Sequence, residues 1–115
     1  MVVLEQGINK IRDYIYDKLN EGQLGTDGTA VTTGDTSLGD PIAATLKTLT
    51  VTKKDKSLKI EFQTSAGDGS GSNAREFVIT DVDDLALTRG VFPQEELIAT
   101  SVFSATTQLL LLQDI

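Results

Sequence analysis

The sequence predicts an all-β chain, an antiparallel β-sandwich or jelly-roll-like barrel, entered through one N-terminal amphipathic α-helix. Three observations carry that expectation. A helical stripe of apolar residues occurs only near the N-terminus, the hydrophobic period drops to two from Thr45 onward, and clusters of Gly, Asp and Asn cut the remainder into strand-length pieces. Composition agrees with a single domain: 115 residues suffice for one core, and 39% hydrophobic content is ordinary for a folded chain. With four Phe, two Tyr and no Trp, that core must be built mainly from Leu, Ile and Val.

The helix is expected over residues 2–21. Leu4, Ile8, Ile11, Ile15 and Leu19 follow one another at steps of four, three, four and four, a stripe of 3.6-residue period. Glu5 near the start and Lys18 near the end suit the helix dipole, and Gly22 is the expected terminator. Asn9, Lys10, Arg12, Asp13 and Asp17 fall on the opposite face, so the apolar stripe must dock on something, most simply the sheet that follows.

Residues 22–44 read as a connector. Its central run, GTDGTAVTTGDTSLGDPI, has five Thr, four Gly and three Asp in eighteen residues, which makes neither a good helix nor a core segment. Asp27-Gly28 is a turn signal, and Pro41 fixes a further bend. Short strand fragments are expected around Ala30 to Thr32, because Thr is β-branched. A loop this long inside a small domain is expected to be ordered by its neighbours.

The sandwich is assigned to residues 45–115. Leu49 and Val51 point one way, with Thr48, Thr50 and Thr52 the other. TKKDKS turns the chain, and SLKIEFQ returns with Leu58, Ile60 and Phe62 inward and Lys59, Glu61 and Gln63 outward, an antiparallel hairpin. AGDGSGSN is a Gly/Ser loop, REFVIT a strand, DVDD a turn, and LALTRGVF a strand expected to stop at Pro93. LIATSVF and TTQLLLLQ complete the strands, with the leucines at 109–112 expected in the core.

Charge and missing residue types narrow the function. The net charge of −7 repels phosphate backbones and disfavours nucleic acid as a partner. Cys is absent, which removes disulfides and thiolate metal sites, and His is absent, which removes the usual general base and metal ligand. The N-terminus lacks the pattern of a secretion signal and no apolar run reaches membrane-spanning length, so a soluble chain with no membrane partner is expected.

Candidate chemistry is sparse. Asp27, Asp35 and Asp40 in Gly/Thr-rich surroundings, and Asp81, Asp83 and Asp84 in a tight turn, are candidate calcium ligands, weighed against the plain preference of Asp for turns and caps. Asp68 opens DGSGSN, but the EF-hand pattern fails where Gly and Glu are required, at Asn73 and Ile79. Lys53, Lys54, Lys56 and Lys59 form a small basic patch without interleaved aromatics, as expected of a solvated or partner-facing turn. Glu95 and Glu96 are sequence neighbours and fall on opposite faces of a strand, so they do not pair for acid–base work. No catalytic role and no cofactor are expected.

Three blocks in order span most of the chain. They are GINKIRDYI followed by LGTDGT, then GDTSLGDPI, then AREFVIT followed by DDLALTRGVFP. Together they resemble a family of small domains in tailed-bacteriophage and archaeal-virus particles, found in tail-fibre, tail-collar, turret and head-decoration proteins. The family more often has Ile-Gly-Leu where this chain has Phe77, Val78 and Ile79. Its Gly-Thr-Gly loop carries Asp27 here, and its aromatic-rich ending is replaced by LLLLQDI.

The resemblance implies a non-enzymatic virion structural protein, located in the particle as a symmetric homo-oligomer. Its partners would be copies of itself and capsid, portal-vertex or tail proteins. The connector would be ordered by backbone hydrogen bonds and neighbouring subunits, with Arg75, Glu76 and Arg89 structural or interfacial. The alternative from another class is a small β-sandwich binding module, calcium-dependent and directed to a glycan or receptor. The absence of Trp speaks against a sugar-stacking platform.

Overall fold

The computed structural model describes residues 4–110, and in it the chain forms two antiparallel sheets with one N-terminal helix. Helix α1 spans Glu5–Lys18. Strand β1 is Leu19–Gly25, and β2 is Lys47–Thr48, reached through a 3-10 turn at Ala43–Thr45. Then come β3 (Thr50–Lys54), β4 (Ser57–Gln63), β5 (Asn73–Asp81), β6 (Ala86–Glu96) and β7 (Ser104–Leu110). One sheet has the order β2-β1-β5-β6, the other β3-β4-β7. The predicted all-β class with one helix is therefore correct.

The core lies between the sheets. Leu24, Leu49, Ile60, Phe62 and Ile79 are buried together, with Ile42, Ala74 and Leu97 closing one end. The expected β3–β4 hairpin forms, with Val51 opposite Ile60 and Lys53 opposite Leu58; β4 alternates strictly, whereas β3 carries Lys53 on the same face as Val51. Leu58, Ile60 and Phe62 are all buried, as the period of two required. Lys56 takes the left-handed conformation (φ 56°) that closes the turn.

Several boundaries differ from the sequence expectation. The helix stops at Lys18, and Leu19 turns extended (φ −65°, ψ 135°), so 19–25 is a strand rather than helix end and connector. Residues 2 and 3 of the expected helix lie outside the described residues. Gly22 does not terminate the helix; it sits opposite Ile79 inside β1, where a Cβ would lie 2.7 Å from Cδ2 of Phe62. Packing on the Phe62 ring selects glycine there. Only Ile8 of the apolar stripe is buried, and Ile11 remains half-exposed. The helix is fastened by polar contacts: Arg12 Nη1 donates to the Lys54 carbonyl (2.8 Å), and the Lys56 amide donates to Asn9 Oδ1 (2.8 Å).

No strand forms at Ala30 to Thr32, because the Thr32 amide and hydroxyl both donate to the Asp35 carboxylate and curl the chain instead. Pro93 does not end β6. It lies in the register step between the pairs Glu76–Val91 and Ala74–Glu95, on an edge strand, where its missing N–H costs no ladder bond. LIATSVF is not a strand but a turn, closed by the Ile98 amide donating to Ser101 Oγ (3.0 Å). Of the terminal leucines, Leu109 is partly exposed on β7, and 111–115 lie outside the described residues. Among the described residues no helix is long and apolar enough to cross a membrane.

Candidate functional site

The Gly/Thr/Asp connector folds into one closed loop. An isolated bridge joins Gly25 to Pro41, the Thr26 amide donates to the Asp40 carbonyl (2.9 Å), and the Ile42 amide donates to the Leu24 carbonyl (2.9 Å). Residues 26–40 therefore leave and return at one point, an Ω-loop. Thr45, fully buried, seals its base by donating to the Ile42 carbonyl (2.7 Å) and accepting from the Leu24 amide (3.0 Å).

The loop is held down by Glu76. Strand alternation turns Phe77 and Ile79 toward the other sheet and Glu76 and Val78 to the outer face, beneath the loop. The Glu76 carboxylate is fully buried and accepts from the amides of Asp27 (2.9 Å), Gly39 (2.8 Å) and Asp40 (2.9 Å) and from Arg89 Nε (2.9 Å). Burial pushes its pKa up, but the three amides and the guanidinium outweigh this and hold it below the ordinary glutamate value. Arg89, on the neighbouring strand, reaches over to Asp35 Oδ2 (3.1 Å) and donates to the carbonyls of Thr29 (3.2 Å) and Asp27 (3.2 Å). Its side chain is only 6% exposed.

This arrangement locates the carboxylates singled out in the sequence. Asp27 accepts from the amide and hydroxyl of Thr29, and Asp35 from those of Thr32; these hydrogen bonds, helped by Arg89, lower both pKa values. Asp40 accepts from the Thr26 hydroxyl (2.6 Å). Asp81 Oδ1 accepts from the amides of Asp83 and Leu85 (both 2.9 Å), with Asp84 in the left-handed region (φ 62°). The carboxylates of Asp27, Asp35, Asp40 and Asp81 are each engaged in local hydrogen bonds of their own segment. Among the described residues no group of three or more acidic side chains converges on a metal position. Arg75, which adjoins Glu76 in sequence, takes no part in the clasp; it lies along the loop at Gly28 and donates to Gln94 on the surface.

The second feature is an apolar cleft of about 600 Å³ between the sheets. Its floor is Ile60, Phe62, Phe77 and Ile79, and Ile15 and Leu19 close it toward the helix. Its mouth lies between β6 and β7, which are both sheet edges and are not hydrogen-bonded to each other. At one end the sheets are drawn together by an aromatic row, Phe92 on Phe103 (5.5 Å between centroids) and Phe103 on Phe62 (6.3 Å). Past that row, the residues facing inward on β6 are Thr88 and Gly90, and on β7 they are Ala105, Thr107 and Leu109. Four of these five are too small to span the gap, and Leu109, partly exposed, lines it without closing it. Sequence reasoning did not find the cleft; its only signal is small residues at inward positions of both outer strands.

Comparison with known protein families, with curated proteins and with solved structures returns no match for this chain.

Proposed function

We propose that this chain is a non-enzymatic structural subunit of a tailed-virus particle, working by assembly with copies of itself and with a capsid, portal-vertex or tail partner. The observation that carries the reading is the open cleft. An acidic domain that leaves an apolar floor uncovered between two unpaired strand edges is built to be completed by another surface. Oligomeric ring or turret subunits meet that description; enzyme clefts bring titratable groups together, whereas this one is lined by aliphatic, aromatic and small residues.

A second support comes from the blocks that carry the viral resemblance. Asp35 and Gly39 of the middle block, and Glu76 and Arg89 of the last, are far apart in sequence. They meet at the clasp that fixes the Ω-loop. Residues that recur together in a family of small domains are expected to be those that define its fold in this way.

The test is light scattering coupled to size-exclusion chromatography over a concentration series, followed by mass spectrometry of purified virus particles from the source of the gene. The expected result is a species several times the 12.3 kDa chain mass, and the chain present in particles. A strictly monomeric protein that no particle contains would sink the proposal.

A further inference from the structure

Gly90 lies in the middle of β6, paired with Phe77, away from both register irregularities of the β5–β6 ladder. Its backbone needs no glycine, since the positive-φ glycines are Gly67, Gly69 and Gly71. Its surroundings need none either: among the described residues, nothing lies within 4 Å of a Cβ built at Gly90. Gly22 and Gly25 lack a side chain because Phe62 and Glu76 occupy the space; Gly90 has no such neighbour among the described residues. Glycine inside a strand costs stability, and it is tolerated where another backbone approaches closely.

The place it opens is the cleft mouth. The sheet facing β6 is one strand short, three strands against four, and the missing position is beside the free edge of β7. A strand laid along β7 there would face Gly90 across the mouth and drop alternate side chains onto Phe62 and Phe77. Charge selects whose strand it is. The chain carries −7 overall, yet β7 (Ser104–Leu110) has no charged residue, and on the Ala86–Phe92 part of β6 the only one, Arg89, is engaged by Glu76 and Asp35. This neutral strip lets two copies of an acidic chain meet without repulsion. Edge strands normally guard against such pairing with Lys or Pro, and β7 has neither.

We infer that the β6–β7 mouth is the self-association surface, closed by an edge strand of a second copy that docks on β7 and passes close over Gly90. This rests on the assembly reading above and names its contact. The decisive variant is Gly90→Val, whose side chain enters open space in the free chain and blocks the approach of another backbone. Thr107→Glu, which places a charge on the opposite wall, is the second variant. Leu46→Ser, an exposed apolar residue remote from the cleft, is the control.

Sedimentation velocity over a concentration series, with circular dichroism to establish folding, reads the result. Gly90→Val and Thr107→Glu are expected to stay folded and weaken self-association roughly thirtyfold or more, as loss of a central contact does, while Leu46→Ser leaves it unchanged. If the wild type associates and both cleft variants associate equally well, the inference fails and the assembly reading stands. If the wild type is monomeric at every concentration, the inference fails, and the assembly reading fails with it when no particle contains the chain. If native mass spectrometry finds a small apolar molecule retained by a monomer, the cleft is a ligand site and the inference is overturned.

Discussion

The Ω-loop and the β6–β7 mouth draw on similar small residues, Gly, Thr and Ala, and reach opposite ends. At the base and the return of the loop, two omitted side chains make room that is filled from within. Gly25 lies directly opposite Glu76, and its missing Cβ is the room that carboxylate occupies; Gly39 likewise yields to the Asp27 carboxylate. At the mouth, Gly90, Thr88, Ala105 and Thr107 leave space that nothing among the described residues fills. Small residues that make room internally bring order to a polar segment. Small residues that leave room open expose a floor of Phe and Ile. The described residues fill the first region and leave the second open.

Breaking the finished side should cost most. Glu76→Ala removes the acceptor of three amides and leaves Arg89 buried with its nearest counter-charge gone, so the protein should lose about 3 kcal/mol or more. Urea unfolding followed by circular dichroism measures this. A loss no larger than that of an ordinary surface substitution would mean that the loop is held by something other than the clasp. Arg75→Ala is the comparison within the same block: its partner Gln94 is exposed, and a change within about 0.5 kcal/mol is expected.

Next in size are the internal glycines. Gly25→Ala must displace both the Glu76 carboxylate and the Asp40 carbonyl, which lies 2.7 Å from the new Cβ. Backbone cannot yield as a flexible side chain does, and overpacking of this kind costs about 1–3 kcal/mol. The same unfolding experiment applies, and a neutral result would show that the bridge to Pro41 can shift without loss.

The clasp also makes stability depend on pH, with a definite sign. Glu76, Asp27 and Asp35 all have folded pKa values below their ordinary ones. Groups of that kind contribute stability that is present above the unfolded values, about 4. It is lost as pH falls through the lower folded values. Arg89, raised further by Glu76, stays charged throughout and adds no slope. Urea midpoints should therefore be flat near neutrality and fall below about pH 4. In Glu76→Gln the fall should be shallower, since one of the linked carboxylates is gone. An equal slope in that variant would remove Glu76 from the linkage.

These two regions were unequally legible in the sequence. The β3–β4 hairpin could be read because β4 alternates without interruption and the polar turn TKKDKS precedes it. β1 could not: its inward positions are Leu24 and Gly22, so a strand paired along β5 shows almost no hydrophobic period. The helix stripe was real, but its burial was not, because Ile15 and Leu19 border the cleft instead of a closed core. Arg75, Glu76 and Arg89 were singled out together by resemblance. Only geometry separates the pair that clasps the loop from the arginine that lies on the surface. The cleft itself is a deficit of volume at Thr88, Gly90, Ala105 and Thr107, and a deficit has no motif.

The smallest effect is the sharpest discriminator, because its sign is opposite on the two sides. Gly25→Ala destabilises by filling occupied space, whereas a side chain at Gly90 enters space that is empty in the single chain and restricts a backbone already extended in β6. Relief of the glycine entropy penalty, with the better strand propensity of Val, should raise the stability of dilute Gly90→Val by about 0.5–1 kcal/mol. The measurement must be made at concentrations below association, so that loss of a partner does not mask the gain. Destabilisation of the dilute variant would mean that Gly90 is needed within its own chain, and the contrast between filled and unfilled glycine sites would collapse.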